Sequence, residues 1–262
     1  AEATEAFRKR LREVSPNMAL FANTQYQYSD WTLATDLQYE CEDMLLSESR
    51  GLTGAGMSDK MLLGRGLAAG RPLWNYLGTF DEKDFTKLRP PDTLLSIVCS
   101  TMAHLANPWI VYYGFEPTEQ NRAPQQTLSQ LMGWRAQHAD LFVGLRPAAP
   151  VAVLVSTVSR NCRGTPLTPP CLRELRSRGV PVRAVSDRHA NADTLADVKV
   201  LVAQGVPCMS EETATHLASW VRSGGTLVAD DDTGWYDDIG RLRPASGLLR
   251  ALGLAQVADG VA

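Results

Sequence analysis

The residues best suited to chemistry here are carboxylates, and their densest stretch is Tyr39-Glu40-Cys41-Glu42-Asp43, with Glu48 shortly after. Paired carboxylic acids can share acid–base work, one giving a proton while the other takes one or attacks. If residues 37–41 form a strand, alternation places Glu40 and Glu42 on one side and Cys41 on the other. Glu40 and Glu42 could then point inward together, and like-charge repulsion would raise the pKa of one of them. The same residues equally suit a charged loop edge, and Asp43 and Glu48 read as solvated. A second group, Trp74, Asn75, Tyr76, Trp109 and Tyr112, lies in two apolar runs, and Asn23 ends a third. Aromatic faces can stack on the C–H surface of a sugar and amides can bond its hydroxyls. In a core, the same rings pack and the same amides tie loops.

Other chemistries find less support. The four histidines show no metal-ligand spacing, and His104 reads as a satisfied interior histidine within an apolar helix. Gly51-Leu52-Thr53-Gly54-Ala55-Gly56 neither follows a strand at dinucleotide-binding spacing nor carries the Lys-Ser/Thr of a phosphate loop. It reads as a rim loop, and no cofactor or metal is expected. Net charge is −3, which offers no basic face for nucleic acid. The five cysteines, Cys41, Cys99, Cys162, Cys171 and Cys208, are scattered without a C-x-x-C pair, which suits neither a disulfide framework nor zinc. That usage points to a soluble protein in the cytoplasm rather than a secreted one. No run of about 18 apolar residues predicts a membrane span. The first ten residues form a charged amphipathic helix rather than a signal peptide.

The elements that must position these residues alternate between strand and helix. Phe7, Leu11 and Val14 recur at helical spacing until Pro16, and Met18 to Ala22 is predicted as a strand ending at Asn23. Strands follow at Leu37 to Cys41, Pro72 to Gly78 and Pro108 to Gly114. Helices are expected at Asp59 to Ala69, Thr93 to Leu105 and Thr127 to Ala139. Four consecutive β/α units imply parallel strands, half of a (β/α)₈ barrel. After Arg146-Pro147-Ala148-Ala149-Pro150 come strands at Pro150 to Thr157, Val182 to Val185, Val198 to Ala203 and Thr226 to Ala229. Helices lie between at Pro169 to Arg178 and Ser210 to Ser223, with Ser210 as N-cap and Gly224 past the end, and a helical piece at Leu248 to Leu252 follows. The expected class is α/β: a partial TIM barrel over 1–147, then a flavodoxin-like doubly wound parallel sheet over 148–262.

Three runs in the second half carry a resemblance: Gly179-Val180-Pro181-Val182, Val198-Lys199-Val200-Leu201-Val202, and Trp220-Val221-Arg222-Ser223-Gly224-Gly225-Thr226-Leu227-Val228. Together they resemble the glutamine-amidotransferase-like trimerisation domain of family 42 β-galactosidases and related hypothetical glycoside hydrolases. His104-Leu105-Ala106-Asn107-Pro108-Trp109 looks like the helix-to-last-strand passage of their barrels, and Ser15-Pro16-Asn17 with its following apolar run looks like their fifth unit. The resemblance implies barrel strands five to eight, a carbohydrate substrate, a homo-oligomer, and no nucleic-acid or membrane partner. It also implies carboxylates after strands four and seven. The seventh-strand segment Trp74-Asn75-Tyr76-Leu77-Gly78 has none before Asp81 and Glu82, whereas barrels resembling the α-galactosidases use acids after strands four and six. That comparison makes Glu42 the candidate acid/base, with Glu40 as a secondary candidate that would tune it and its partner upstream of Ala1. The second half ends soon after its fourth strand, so a C-terminal portion is also expected beyond this chain.

Cys208 follows a strand where amidotransferases keep a nucleophile, but Val206-Pro207-Cys208-Met209-Ser210 lacks the small residues of a nucleophile elbow. Asp230-Asp231-Asp232 suits either a hard cation or solvent. Three functions stay open: a glycosidase whose second domain assembles subunits, a non-catalytic carbohydrate-binding relative, and a Cys208-dependent amidotransferase.

Overall fold

The structure is a computed structural model that describes residues 2–21, 43–48, 54–81, 83–111 and 118–254. The chain divides into two compact units, Ala1–Pro147 and Ala148–Ala262.

In the first unit, α1 (Glu2–Val14) ends before Pro16, as the apolar spacing predicts. Residues 18–21 form no strand, and Met18 and Phe21 are exposed. The pairing there is one residue long. Leu20 N–H donates to the Asp43 carboxylate at 2.8 Å, and Asp43 N–H donates to the Leu20 carbonyl at 2.8 Å. Arg8 and Arg12 close on the same carboxylate, so Asp43 is a tether and not a solvated acid.

Three parallel strands make the sheet of this unit: β1 (Leu45–Glu48), β2 (Leu73–Gly78) and β5 (Asn107–Val111), in the order β1-β2-β5. The crossovers are α2 (Gly54–Ala68) and α3 (Pro91–Ala103), as parallel neighbours require. Pro91 occupies the first turn of α3, where its missing N–H costs nothing. Between β2 and α3 a hairpin intervenes, β3 (Phe80–Asp81) against β4 (Asp84–Leu88). Helix α4 (Glu119–Gln137) begins eight residues before the predicted Thr127. Its first turns are polar and contain Pro124, which hides them from a search for apolar periodicity.

Of the two strands that pair with β2, the sequence did not single out β1, Leu45–Glu48. Its apolar part is the doublet Leu45-Leu46, too short to display alternation. The predicted strand over 37–41 lies outside the described residues.

The second unit carries four parallel strands, β6 (Val151–Val155), β7 (Val182–Ser186), β8 (Val200–Ala203) and β9 (Thr226–Ala229), in the order β7-β6-β8-β9. This is the flavodoxin-like order expected of the sequence. Helices α5 (Thr157–Arg163), α6 (Pro170–Ser177), α7 (Ala192–Leu195) and α8 (Glu211–Arg222) form the connections, and α9 (Gly247–Leu252) follows β9. Leu154, Leu201, Met209, Leu217 and Leu248 are among its core residues. Ser210 caps α8 by accepting a bond from Thr213 N–H at 3.0 Å. Gly224 leaves that helix at φ +108, and a Cβ on Gly225 would stand 2.3 Å from the Trp220 ring. No helix among the described residues is long and apolar enough to cross a membrane.

Candidate functional site

Strand β2 sorts the candidate residues by its period of two. Leu73, Asn75 and Leu77 are buried against the helices, while Trp74 and Tyr76 are half-buried on the opposite face. Asn75 is fully buried. Its amide donates to Thr101 Oγ1 of α3 at 2.9 Å and to Met57 Sδ of α2 at 3.5 Å. It is therefore a bridge between the sheet and its helices and not a group aimed at a sugar hydroxyl. The sequence reading recognised its polarity but not its face, which depends on where the helices lie.

Across the sheet, parallel register aligns Tyr76 with Glu48 of β1 on one side and Trp109 of β5 on the other. The Tyr76 and Trp109 rings meet edge to face with centroids 5.9 Å apart, and Phe21 meets Trp109 in the same manner at 5.9 Å. One face of the sheet thus holds Trp74 and a T-shaped row Tyr76–Trp109–Phe21. Phe21 was not anticipated, because its place beside Trp109 comes from the irregular path of 18–21 and leaves no pattern in the sequence. Asn23, Glu40, Glu42 and Tyr112 lie outside the described residues. Glu42 precedes β1 by three residues, and the strand predicted just before it also lies outside the described residues. The acid at the C-terminal end of the described strand is Glu48, and barrel sites are built at C-terminal strand ends.

The hairpin continues directly from that end of β2. Asn121 of α4 grips β4 twice, accepting from Leu88 N–H at 2.9 Å and donating to the Thr86 carbonyl at 2.8 Å. Arg89 Nε donates to the carbonyls of Gly78 at 2.9 Å and Phe80 at 3.1 Å. Thr79 Oγ1 donates to the Val111 carbonyl, which fixes the exit of β2 against β5. On the hairpin itself, the Asp84 carboxylate accepts from Thr86 N–H at 3.0 Å and Thr86 Oγ1 at 2.6 Å, which lowers its pKa.

In the second unit, doubly wound sheets bind ligands at the C-terminal ends of strands where the order reverses, here between β6 and β8. That crevice is filled by the chain's own atoms. Ser159 Oγ donates to the Cys208 carbonyl at 3.2 Å and accepts from Cys208 N–H at 3.0 Å. Cys208 is fully buried, and Arg163 stacks over Tyr236, whose backbone bridges to Cys208, with 4.2 Å from guanidinium carbon to ring centroid. Burial pushes the Cys208 thiol up to about 11, so at neutral pH it is protonated and a poor nucleophile.

The run Asp230-Asp231-Asp232 closes loops. Asp230 accepts from Gly205 N–H at 2.6 Å and from Thr233 Oγ1. Burial, then the hydrogen bond and charge of Asp230, raise the Asp232 carboxyl. Among the described residues, no group of three or more His, Cys, Asp or Glu side chains could hold a metal ion. A cleft of about 590 Å³ lined by Lys199, His216 and Trp220 lies at the N-terminal ends of β8 and β9, opposite the ligand-binding end.

No protein-family profile matches the chain, and no curated protein matches it in sequence. Solved structures do match its fold. A β-galactosidase from Bacillus circulans sp. alkalophilus aligns with a TM-score of 0.69 at 17% identity, over 94% of this chain and 41% of that one. A β-galactosidase from Rahnella sp. R3 aligns at 0.62 and 16% identity, over 92% and 41%. An apo exo-carrageenase of GH42 from Bacteroides ovatus aligns at 0.63 and 11% identity, over 94% and 39%. The chain spans about two fifths of the length of these proteins. At such identities the likeness is one of fold. Over most of its length, the chain has the fold of part of a GH42 β-galactosidase, as the sequence resemblance implied.

Proposed function

We propose that this chain belongs to a glycoside hydrolase that cleaves an O-glycosidic bond with two carboxylates, and that its second unit is a non-catalytic assembly domain. The observation that carries the reading is the aromatic row on one face of β2 and β5, with Glu48 in register beside Tyr76. Aromatic faces suit the apolar side of a sugar ring, and an acid at a strand's C-terminal end suits proton transfer to the glycosidic oxygen. The acid/base role goes to Glu48 first. Glu42, with Glu40 to tune it, is the alternative drawn from the sequence. The second carboxylate comes from the part of the barrel that this chain does not span. Trp74, Tyr76, Trp109 and Tyr112 would form the sugar platform, and Asn23 would bond hydroxyls at its edge.

The sealed crevice and the protonated Cys208 thiol weigh against an amidotransferase. The second unit is then read as serving association of like chains, and no cofactor is needed for the reaction.

The test uses the full-length protein on a panel of p-nitrophenyl glycosides, beginning with the β-galactoside because the structural neighbours are so named. Glu48→Gln should lower kcat by about 10²- to 10⁴-fold while calorimetric sugar binding persists. The same loss in Glu42→Gln alone would return the role to Glu42. Turnover untouched in both variants would overturn the carboxylate assignment. Wild-type sugar binding without turnover would leave a carbohydrate-binding protein.

A further inference from the structure

Helix α8 has two working faces. Thr213, Ala214, Leu217 and Ala218 are buried. His216, Ser219, Trp220 and Ser223 recur at intervals of three and four, so they share a flank, and that flank lines the cleft at the N-terminal ends of β8 and β9. At about 590 Å³ the cleft lies within the roughly 300–1,000 Å³ of small-molecule sites. Leu195 and Val198 give it apolar surface, and exposed Lys199 adds an ammonium group. Among the described residues, the Lys199 ammonium, the His216 ring and Trp220 Nε1 make no hydrogen bond or ion pair, and no acidic side chain lines the cleft. Asp197, two residues before Lys199, is tied to Arg183. A helix C-terminus favours cations, but the carbonyls of Ser219, Trp220 and Val221 are taken by the N–H groups of residues 223–225. The Trp220 ring is held in place, because the Gly225 backbone lies so close that a Cβ there would stand 2.3 Å from it.

We propose that this cleft binds a small organic anion, a carboxylate carried on a six-membered ring. Lys199 and His216 take the charge, through charge-assisted bonds from the ammonium and a ring N–H that histidine keeps in either protonation state. Leu195, Val198 and the fixed Trp220 indole take the ring, and an indole set before the ligand arrives loses little freedom on binding. A sugar acid and an aromatic acid both carry this chemistry. No residue of the first unit takes part, so the cleft is independent of the glycosidase reading.

Calorimetry on the full-length protein tests it with glucuronate, benzoate, their neutral counterparts glucose and benzamide, and sodium sulfate, in the wild type, Lys199→Met, Lys199→Arg and His216→Gln. At least one of the two acids should bind with Kd below about 10 mM, about tenfold tighter than its neutral counterpart or sulfate. Lys199→Met and His216→Gln should each weaken that acid about tenfold, while Lys199→Arg, which keeps the charge, should stay within about threefold of the wild type. Lys199 is exposed, so its variants should melt with the wild type. Glucuronate alone would mark a sugar acid, benzoate alone an aromatic one, and both together a site that reads carboxylate and ring without the hydroxyls. Sugar held at a glycosidase site is set apart by its indifference to Lys199→Met. The site is overturned if neither acid binds, if the neutral compounds or sulfate compete as well as the acids, or if acid binding ignores both Lys199→Met and His216→Gln.

Discussion

Asn75 donates two bonds to the helices, yet its own carbonyl oxygen has no partner among the described residues. A buried acceptor left unpaired is destabilising, so Asn75→Leu should fall within about 1 kcal/mol of the wild type in urea denaturation despite losing the bond to Thr101. Asn75→Asp would bury a charge there and should cost about 3 kcal/mol or more. Abolished sugar binding in a stably folded Asn75→Leu would refute the helix-side role. Cys208 offers a matching case in pH. Its thiol titrates higher in the folded chain than in the unfolded one, so the stability it contributes is full below about pH 9 and disappears as pH rises toward 11. A loss of about 3 kcal/mol over that window, absent from Cys208→Ala, is the expected result. At pH 8, native Cys208 should resist iodoacetamide while exposed Cys99 and Cys162 react.

Helix α8 and strand β1 show which elements a sequence announces. Ser210, the apolar positions of the helix and Gly224 mark both ends of α8 in local chemistry, and its observed bounds agree with the predicted ones to within a residue. β1 has no such marks, because its identity as a strand is set by β2 alongside it and by α2 beneath it. Glu48 joined Glu42 as a proposed acid because it ends this strand. Element-scale substitutions should follow the same logic. Gly225→Ala would drive a methyl into the Trp220 ring and should lower the stability of the second unit by about 1–3 kcal/mol, read as melting temperature. Asn121→Ala touches no part of the hairpin's exposed side, yet it frees β4. It should lower the stability of the first unit by about 1–3 kcal/mol in urea denaturation, and an unchanged midpoint would show that the hairpin needs no fastening.

Both units were legible as parallel α/β sheets because alternation of short apolar runs with helical stretches leaves few other topologies. The site was less legible, since a barrel draws its groups from strand ends far apart in the chain. Among the described residues, β1 and β5 are each paired on one side only, whereas the second unit covers its central strands with helices on a continuous core. Residues 148–262 expressed alone should therefore unfold in one cooperative transition. Residues 1–147 alone should associate through open strand edges, which light scattering would detect. A cooperative, monomeric 1–147 would mean that its sheet edges are closed by other means.

The two faces of β2 answer to different pressures, and a saturation screen would separate them residue by residue. Charged substitutions at 73, 75 and 77 should deplete the amount of protein recovered, while those at 74 and 76 should spare abundance and erase turnover. Plotted along the strand, the two readouts would oscillate out of phase, one maximum falling on each minimum of the other. A side chain's orientation could then be read by counting survivors, without a structure.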